Sequence, residues 1–183
     1  MKKNKPVQGL PETLIIAGLA RSGKDTAAYL ICEKFGYVKF NLSDVLAEEL
    51  ERRGEQVTKE AMAGLGDELR AKEGMGIVAR MLAAKIPAGG KVVITGARSP
   101  EEVAYIKSVR TGAKVVEIYA EGEKRFARRS NADPAERGKF FARDSADEKN
   151  KGLKTVLAGA DIRIANNSSM SELRKKIMGI NLA

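Results

Sequence analysis

The chain has 183 residues, a length that suits a single globular domain with a core of its own. It contains no histidine, which excludes histidine as a general base, as part of a Ser-His-Asp triad or as a zinc ligand. The formal net charge of +9 favours anionic partners. Because positive and negative residues are interleaved, we expect a solvated basic surface around a phosphate site more than a dedicated face for nucleic acid.

The N-terminus predicts a flexible leader over residues 1–12, followed by a single domain over residues 13–183. The leader is basic and polar and lacks the apolar core of a signal peptide. No apolar run reaches the ~18–20 residues of a membrane-spanning helix, so we expect a cytoplasmic protein that makes no contact with a membrane. Cys32 is the only cysteine, which rules out an intrachain disulfide. The oligomeric state stays open between a monomer and a homodimer.

A glycine-rich loop follows the first predicted strand, Leu14–Ala17. Its spacing, Gly-x-x-x-x-Gly-Lys, is that of a phosphate-binding P-loop, and a predicted helix follows at once. Glycines allow successive backbone N–H groups to face phosphate oxygens, while the helix dipole and Lys24 add positive charge. The alternative is a glycine turn that happens to precede a lysine, which the flanking strand and helix disfavour. We therefore expect ATP or another NTP to bind through Gly18, Ala20, Arg21, Ser22, Gly23, Lys24, Asp25 and Thr26.

Asp25 occupies the position after the P-loop lysine, where Ser or Thr usually binds Mg²⁺ through its hydroxyl. A carboxylate is also a hard oxygen ligand that suits Mg²⁺. We therefore expect Asp25 to be the metal ligand of the site. The string from Arg21 to Thr26 resembles the P-loop of phage-type deoxynucleoside monophosphate kinases.

Five short apolar runs alternate with helical patterns, which predicts an α/β fold with a parallel sheet and crossover helices. Capping residues predict helix starts after Asn41 or Ser43, after Thr58, after Ser99 and after Asp133. The predicted strands are Leu14–Ala17, Tyr37–Phe40, Val92–Thr95, Lys114–Ala120 and Ile162–Ala165.

Polar residues follow the second and third predicted strands, where ligands of a doubly wound sheet bind. Asp44 follows the second strand, where it either faces an acceptor hydroxyl or only stabilises the start of its helix. Thr95 ends the third strand. Arg98 comes soon after, where it either grips a phosphate or pairs with Glu101 or Glu102.

Arginines follow the fourth predicted strand, in a segment dense in charge over residues 122–152 that predicts a mobile helical lid. Arg125, Arg128 and Arg129 are spaced i, i+3, i+4 and share one helix face. They either neutralise charge on a transferring phosphoryl group or form a solvated face. Asn166 follows the fifth strand, and we expect its amide or backbone to hold the edge of a nucleobase.

The order of these motifs resembles the nucleotide-kinase group of P-loop proteins, and more closely a largely archaeal family related to dephospho-CoA kinases and adenylate kinases. The resemblance implies a five-stranded P-loop NTPase core, an acceptor-binding region over residues 41–76, a lid and Mg-NTP chemistry. The family usually has Asp where Thr95 stands, and Ser or Thr where Asp25 stands. The motifs that carry it, within residues 13–178, are the P-loop, Leu65-Gly66-Asp67-Glu68-Leu69-Arg70, Gly96-Ala97-Arg98-Ser99, Glu101-Glu102-Val103, Arg125-Phe126, Arg129, Arg143-Asp144, and Ala160-Asp161 through Asn166 to Glu172-Leu173.

We therefore expect an enzyme that transfers the γ-phosphoryl of Mg-ATP to a nucleotide-like acceptor: a nucleoside monophosphate, a deoxynucleotide or dephospho-CoA. The alternative is a nucleotide-dependent switch or ATPase that acts with a protein or RNA partner, which the positive charge and the missing strand-end Asp favour. A dinucleotide oxidoreductase is disfavoured, because the loop is not Gly-x-Gly-x-x-Gly. The expected catalytic residues are Lys24, Arg125, Arg129 and Asp44, and the expected acceptor-binding residues are Asp44, Arg70 and Arg98.

Overall fold

Five parallel strands form one sheet in the computed structural model, which describes residues 10–150 and 152–180. They are β1 (Thr13–Ala17), β2 (Val38–Asn41), β3 (Val92–Thr95), β4 (Lys114–Tyr119) and β5 (Ile162–Ala165). Their order across the sheet is β2-β3-β1-β4-β5. The predicted α/β fold with a five-stranded parallel sheet is confirmed.

Helices connect the strands and cover both faces of the sheet. Two of them, α6 (Gly122–Ala127) and α7 (Arg137–Asn150), lie within the predicted lid. The helices are α1 (Lys24–Phe35), α2 (Leu42–Arg52), α3 (Lys59–Glu73), α4 (Ile77–Ala83), α5 (Pro100–Val109), α6 (Gly122–Ala127), α7 (Arg137–Asn150), α8 (Leu153–Ala158) and α9 (Met170–Met178).

Strand β1 lies in the middle of the sheet and is buried along its whole length. A parallel sheet covered on both faces requires such a continuous apolar run. Leu14 and Ile16 pack with α1 and α9 on one face, whereas Ile15 and Ala17 pack with α2 to α5 and α8 on the other. The sheet therefore has a separate hydrophobic core on each side.

The strand order reverses at β1, because the chain first leaves toward β2 and later adds β4 and β5 on the other side. Strands β3 and β4 flank β1, with Ile16 level with Thr95 and Val116. In open α/β sheets the crevice beyond such a switch point is where ligands bind. The glycine-rich loop lies at this place because it follows β1 directly.

Three of the predicted helix caps are observed. Asn41, Thr58 and Ser99 each accept a hydrogen bond from a backbone N–H in the first turn of α2, α3 and α5, and Ser99 completes a capping box with Glu102. The helix start predicted at Asp133 is wrong. Helix α7 begins four residues later, and the Asp133 carboxylate accepts hydrogen bonds from two arginines instead of capping it.

The first residues that the structure describes pack against the domain. Leu10 contacts the core on the α1 side, and the Tyr37 hydroxyl donates a hydrogen bond to the Pro11 carbonyl. Residues 1–9, the larger part of the predicted leader, lie outside the described residues. Across the described chain, none of the helices is both long enough and apolar enough to cross a membrane.

Candidate active site

The loop between β1 and α1, residues 18–23, leaves no room for side chains at two of its glycines. A Cβ atom on Gly18 would lie 2.5 Å from the Ile118 carbonyl oxygen, and one on Gly23 would collide with the Asn166 amide. Gly23 also has a φ of 94°, in the left-handed region that glycine tolerates. The glycine spacing of the P-loop therefore follows from the contacts of the loop with β4 and with the turn after β5.

The side-chain amide of Asn166 holds the P-loop in place. This residue is buried, and its Nδ2 donates a hydrogen bond of 2.8 Å to the Ser22 carbonyl. Its backbone N–H donates to the Tyr119 carbonyl over 2.7 Å. The end of β5 thus brings this amide against the loop backbone, and its expected contact with a nucleobase edge stays a prediction.

Lys24 is the first residue of α1, and its side chain is largely buried. Burial lowers the pKa of Lys24, Asp25 opposes that shift, and the positive charges of Arg98 and Arg143 lower the pKa further. These arginines come from the loop after β3 and from α7, so positive charges from two other parts of the chain act on the lysine at this helix N-terminus. Such a cluster is unfavourable by itself, and an anion bound there would be stabilised by every member.

Asp25 presents a half-exposed carboxylate beside Lys24, with 53% of its side chain accessible. Its Oδ2 lies 3.7 Å from the Lys24 Nζ and its Oδ1 lies 3.4 Å from the Lys39 Nζ. No cluster of three or more acidic, histidine or cysteine ligands occurs in the part of the chain that the structure describes. One accessible carboxylate fits Mg²⁺ all the same, since this ion is commonly held by one or two carboxylates together with nucleotide phosphates.

Thr95 does not supply a free ligand at the end of β3. The residue is 1% exposed, and its hydroxyl donates a hydrogen bond of 3.4 Å to the Phe40 carbonyl of the neighbouring strand. This leaves Asp25 as the carboxylate next to the P-loop lysine.

Arg125 fastens α7 to the P-loop. It is 5% exposed, its Nη1 lies 2.7 Å from the Asp144 Oδ2, and the same nitrogen donates to the Ala20 carbonyl over 3.1 Å. The rings of Phe140 and Phe141 lie within 6.0 Å of its guanidinium. Asp144 therefore neutralises the charge of Arg125 in this arrangement, and the expected contact of Arg125 with a transferring phosphoryl group stays a prediction.

The other two arginines of the predicted lid face differ from each other. Arg129 is exposed just after the end of α6, and its guanidinium lies 4.3 Å from the centre of the Phe126 ring of that helix. Arg128 has a buried Nη1 without a hydrogen-bond partner among the described residues. The predicted common helix face is wrong, because α6 ends at Ala127 and both Arg128 and Arg129 lie beyond it.

Asp133 connects the segment between α6 and α7 to the P-loop, a contact for which the sequence carried no signal beyond a mistaken helix start. Its side chain is 3% exposed. Its Oδ1 accepts from the Arg143 Nη1 over 3.0 Å, and its Oδ2 accepts from the Arg21 side chain and from the Ser130 N–H. Arg21, a P-loop residue, has a φ of 61° that directs the backbone through the left-handed region.

The charge of Asp133 is stabilised by these partners. Burial by itself would raise the pKa of Asp133, but the Ser130 backbone and the guanidinium groups of Arg143 and Arg21 outweigh it and hold the pKa well below its usual range. Because the folded pKa is depressed, the pairing contributes to stability above the ordinary value of 3.8 and is lost as the pH falls below it.

Asp133→Asn should open the lid. A neutral amide leaves two guanidinium groups facing each other without an anion, so the open form gains population. We expect trypsin to cleave after Arg128 or Arg129 about tenfold faster, since one charge-assisted bond of roughly 1.4 kcal/mol corresponds to that factor in a local opening equilibrium. Cleavage rates under native conditions measure this. Glu136→Gln, an exposed change in the same segment, is the matched control, and equal rates in both variants would contradict the role of Asp133.

Arg70, expected at the acceptor, is engaged inside the protein. Its Nη2 lies 2.9 Å from the Glu102 Oε1, in a pair whose carboxylate side chain is 0% exposed. A Cβ on Gly66 would lie 2.8 Å from the Arg70 Nη1, so the glycine leaves space for this guanidinium. Arg70 therefore ties α3 to α5, and its charge is already paired.

Asp44 and Arg98, the other residues expected at the acceptor, lie at the start of α2 and in the loop after β3. Asp44 is exposed in the first turn of α2. The Arg98 Nη1 donates to the Asp147 Oδ1 over 3.1 Å, so its side chain pairs with α7 and not with Glu101 or Glu102. The Arg98 backbone N–H donates to the Glu102 Oε2 over 2.8 Å, which fixes the turn that carries the side chain.

Comparison with known proteins finds a family of the same length. An AAA domain model matches residues 17–150. A UPF0200 protein from Pyrobaculum aerophilum is 34% identical over 169 residues, which cover 90% of this chain and 93% of that protein. A UPF0200 protein from Methanothrix thermoacetophila is 31% identical over 166 residues, with coverages of 87% and 91%. The predicted resemblance to a largely archaeal family is confirmed.

Solved structures show the same fold at low sequence identity. Shikimate kinase from Bacteroides thetaiotaomicron matches with a TM-score of 0.61 and 14% identity, covering 91% of this chain and 94% of that one. A gluconokinase from Sinorhizobium meliloti matches with a TM-score of 0.54 and 14% identity, covering 91% and 89%. Both are small-molecule kinases by name, and the likeness shows a P-loop kinase fold for this chain.

Proposed function

The chain belongs to the UPF0200 family and its P-loop region to the AAA domain family, and on that premise we propose that it is an ATP-dependent kinase for a small, nucleotide-like acceptor. The observation that carries the proposal is the loop between β1 and α1 at the switch point of the sheet, where Gly18 and Gly23 leave no room for a Cβ atom and Lys24 begins the helix. Backbone N–H groups and full positive charges together match the charge of a polyphosphate.

The donor side of the proposed site is built on the P-loop. The backbone of residues 18–23 and Lys24 would hold the β- and γ-phosphates, and Thr26 would contact the α-phosphate. Asp25 would hold Mg²⁺, which when bound neutralises phosphate charge and aligns the phosphate oxygens. Arg143 has a buried Nε and Nη2 without hydrogen-bond partners among the described residues, so two donors remain for the transferring phosphoryl group.

The other predicted donor-side residues act on the site indirectly in this proposal. Arg125 and Asn166 are positioning residues, since they bind the Ala20 and Ser22 carbonyls of the P-loop. Arg129 would reach the phosphates only after leaving Phe126, a rotation that exposed side chains make readily.

The acceptor side is proposed to lie between α2 and the loop after β3. The exposed Asp44 carboxylate would accept the proton of the attacking hydroxyl. Arg98 would bind an acceptor phosphate once it leaves Asp147, because a guanidinium matches phosphate oxygens in a bidentate manner. This chemistry suits a nucleoside monophosphate, a deoxynucleotide or a dephospho-CoA type of acceptor. Arg70 would act by holding α3 in place.

One observation favours a second function, a nucleotide-dependent switch or ATPase that acts with a protein or RNA partner. The end of β3 carries Thr95, whose hydroxyl is engaged with the Phe40 carbonyl, and no carboxylate stands there. A site without the carboxylate at the end of this strand would hydrolyse ATP slowly until a partner completed it.

A label-transfer experiment separates the two functions. With γ-labelled ATP and Mg²⁺, a kinase should label an acceptor from a panel of nucleoside monophosphates, deoxynucleotides and dephospho-CoA at least about tenfold faster than it releases phosphate to water, because the closed lid excludes water. The measurement is chromatography of the labelled products. Hydrolysis without a labelled acceptor, accelerated by RNA or a protein partner, would favour the switch.

A further inference from the structure

Asp25 has a basic neighbour that does not belong to the P-loop. The Lys39 Nζ lies 3.4 Å from the Asp25 Oδ1, closer than the 3.7 Å between the Lys24 Nζ and the Asp25 Oδ2. Lys39 comes from β2, so its ammonium reaches the carboxylate from a different element. The Lys39 side chain is 19% exposed and that of Asp25 is 53% exposed, so the carboxylate stays open to solutes while the ammonium is largely covered.

Tyr29 shows how Lys39 is held at this place. The Lys39 Nζ lies 4.5 Å from the centre of the Tyr29 ring, a distance at which the aromatic face attracts an ammonium. Tyr29 follows Asp25 by four residues and therefore lies on the same side of α1. The Asp25 carboxylate and the Tyr29 ring together hold the Lys39 ammonium beside the P-loop.

We propose that Lys39 is a tethered counter-cation of Asp25 that a bound divalent cation displaces. This rests on the proposed function, because it takes Asp25 as the residue that meets the metal. Without Lys39, a carboxylate next to the P-loop would repel the phosphates of a metal-free nucleotide. With the Lys39 ammonium next to Asp25, the repulsion between this carboxylate and the phosphates is weaker even before a metal ion binds. A divalent cation and an ammonium repel each other at such short range, so metal binding competes with Lys39 for the carboxylate.

Lys39 is thereby a positioning residue that sets how strongly nucleotide binding depends on Mg²⁺. It raises the affinity for metal-free ATP and thereby reduces the increase in ATP affinity that Mg²⁺ provides. Lys24 cannot serve both purposes, since the same ammonium is needed at the phosphates. The second lysine leaves Lys24 available to the nucleotide.

Lys39→Met tests this inference by binding alone. ATP affinity is measured by calorimetry with Mg²⁺ and with EDTA, and circular dichroism verifies the fold. We expect metal-free affinity to fall about tenfold and the ratio of affinities with and without Mg²⁺ to rise by a similar factor, a modest value because the pair is partly exposed. Tyr29→Leu should shift both quantities in the same direction by less. Lys34→Met, an exposed change on α1, should shift neither.

The Asp25→Asn background makes the test specific. Without the carboxylate, Lys39 has nothing to neutralise, so adding Lys39→Met to Asp25→Asn should leave the Mg²⁺ ratio unchanged. A ratio that changes equally in both backgrounds would mean that Lys39 contacts the nucleotide itself, and a ratio that never changes would remove its role. Either result overturns the inference. A failure to label any acceptor removes the kinase proposal alone, because these binding data do not depend on phosphoryl transfer.

Discussion

Lys24→Met should lower ATP turnover by at least about 100-fold, a loss typical of removing one charge-stabilising donor from a preorganised site. Met keeps the length and the apolar stem of the side chain but removes the charge. Lys24 is the cation that directly follows the P-loop at the start of α1, and burial lowers its pKa because buried surroundings disfavour the charged form. The variant should therefore fold at least as well as the wild type, since a destabilised buried cation has been removed.

Turnover is measured as phosphate or ADP release under saturating Mg-ATP, and unfolding by denaturant monitors the fold. Lys34→Met is the matched control, because Lys34 stands at the other end of α1 and is exposed. A folded Lys24→Met variant with turnover near that of Lys34→Met would contradict the assignment of the loop as the donor site. An unfolded variant would contradict the expectation that the charge is unfavourable for the fold.

Glu102→Gln should reduce the free energy of unfolding by about 3 kcal/mol, the lower end of the cost of breaking a buried ion pair. The Glu102 carboxylate is 0% exposed. One oxygen faces Arg70, and the other accepts from the Arg98 and Ser99 backbone N–H groups. An amide keeps the size but leaves Arg70 buried without a full counter-charge. It also presents a donor where acceptors are required.

Urea denaturation at neutral pH measures this difference, and Glu101→Gln is the matched control because Glu101 is exposed one residue earlier. We expect the control to lie within about 0.5 kcal/mol of the wild type. If Glu102→Gln and Glu101→Gln were equally stable, the Arg70–Glu102 pair would not be a structural tie. Arg70 would then return to the acceptor side as first predicted.

Local patterns along the chain predicted much of the fold. The buried strand Leu14–Ala17, the glycine spacing from Gly18 to Gly23 and the Ser99 capping box each depend on residues close in sequence, and each is present in the structure. These features follow from backbone conformation and burial, which a few neighbouring residues determine. The ranges predicted for the lid and the acceptor region, and the roles assigned to single residues there, stay predictions.

Pairings between distant residues could not be obtained in the same way. Arg21 and Asp133 are 112 residues apart, and Asn166 and Ser22 are 144 apart, so nothing local distinguishes them from surface arginines or loop amides. The sequence marked Arg125 as a basic residue of a predicted helix, but it could not show that Asp144 neutralises the charge of Arg125. Whether a charged side chain is free or paired depends on what the fold brings against it.

By itself, the sequence determined a P-loop at the end of a central strand, a parallel sheet and a chemistry without histidine, because these depend on composition and on short-range spacing. Only the tertiary structure decided which cations remain for a ligand. It paired Arg70 with Glu102, Arg125 with Asp144, Arg98 with Asp147 and Arg143 with Asp133, and it placed Lys39 beside Asp25. The physical reason is that charge compensation acts through space, over distances that strand order and helix packing set and that no local sequence pattern records.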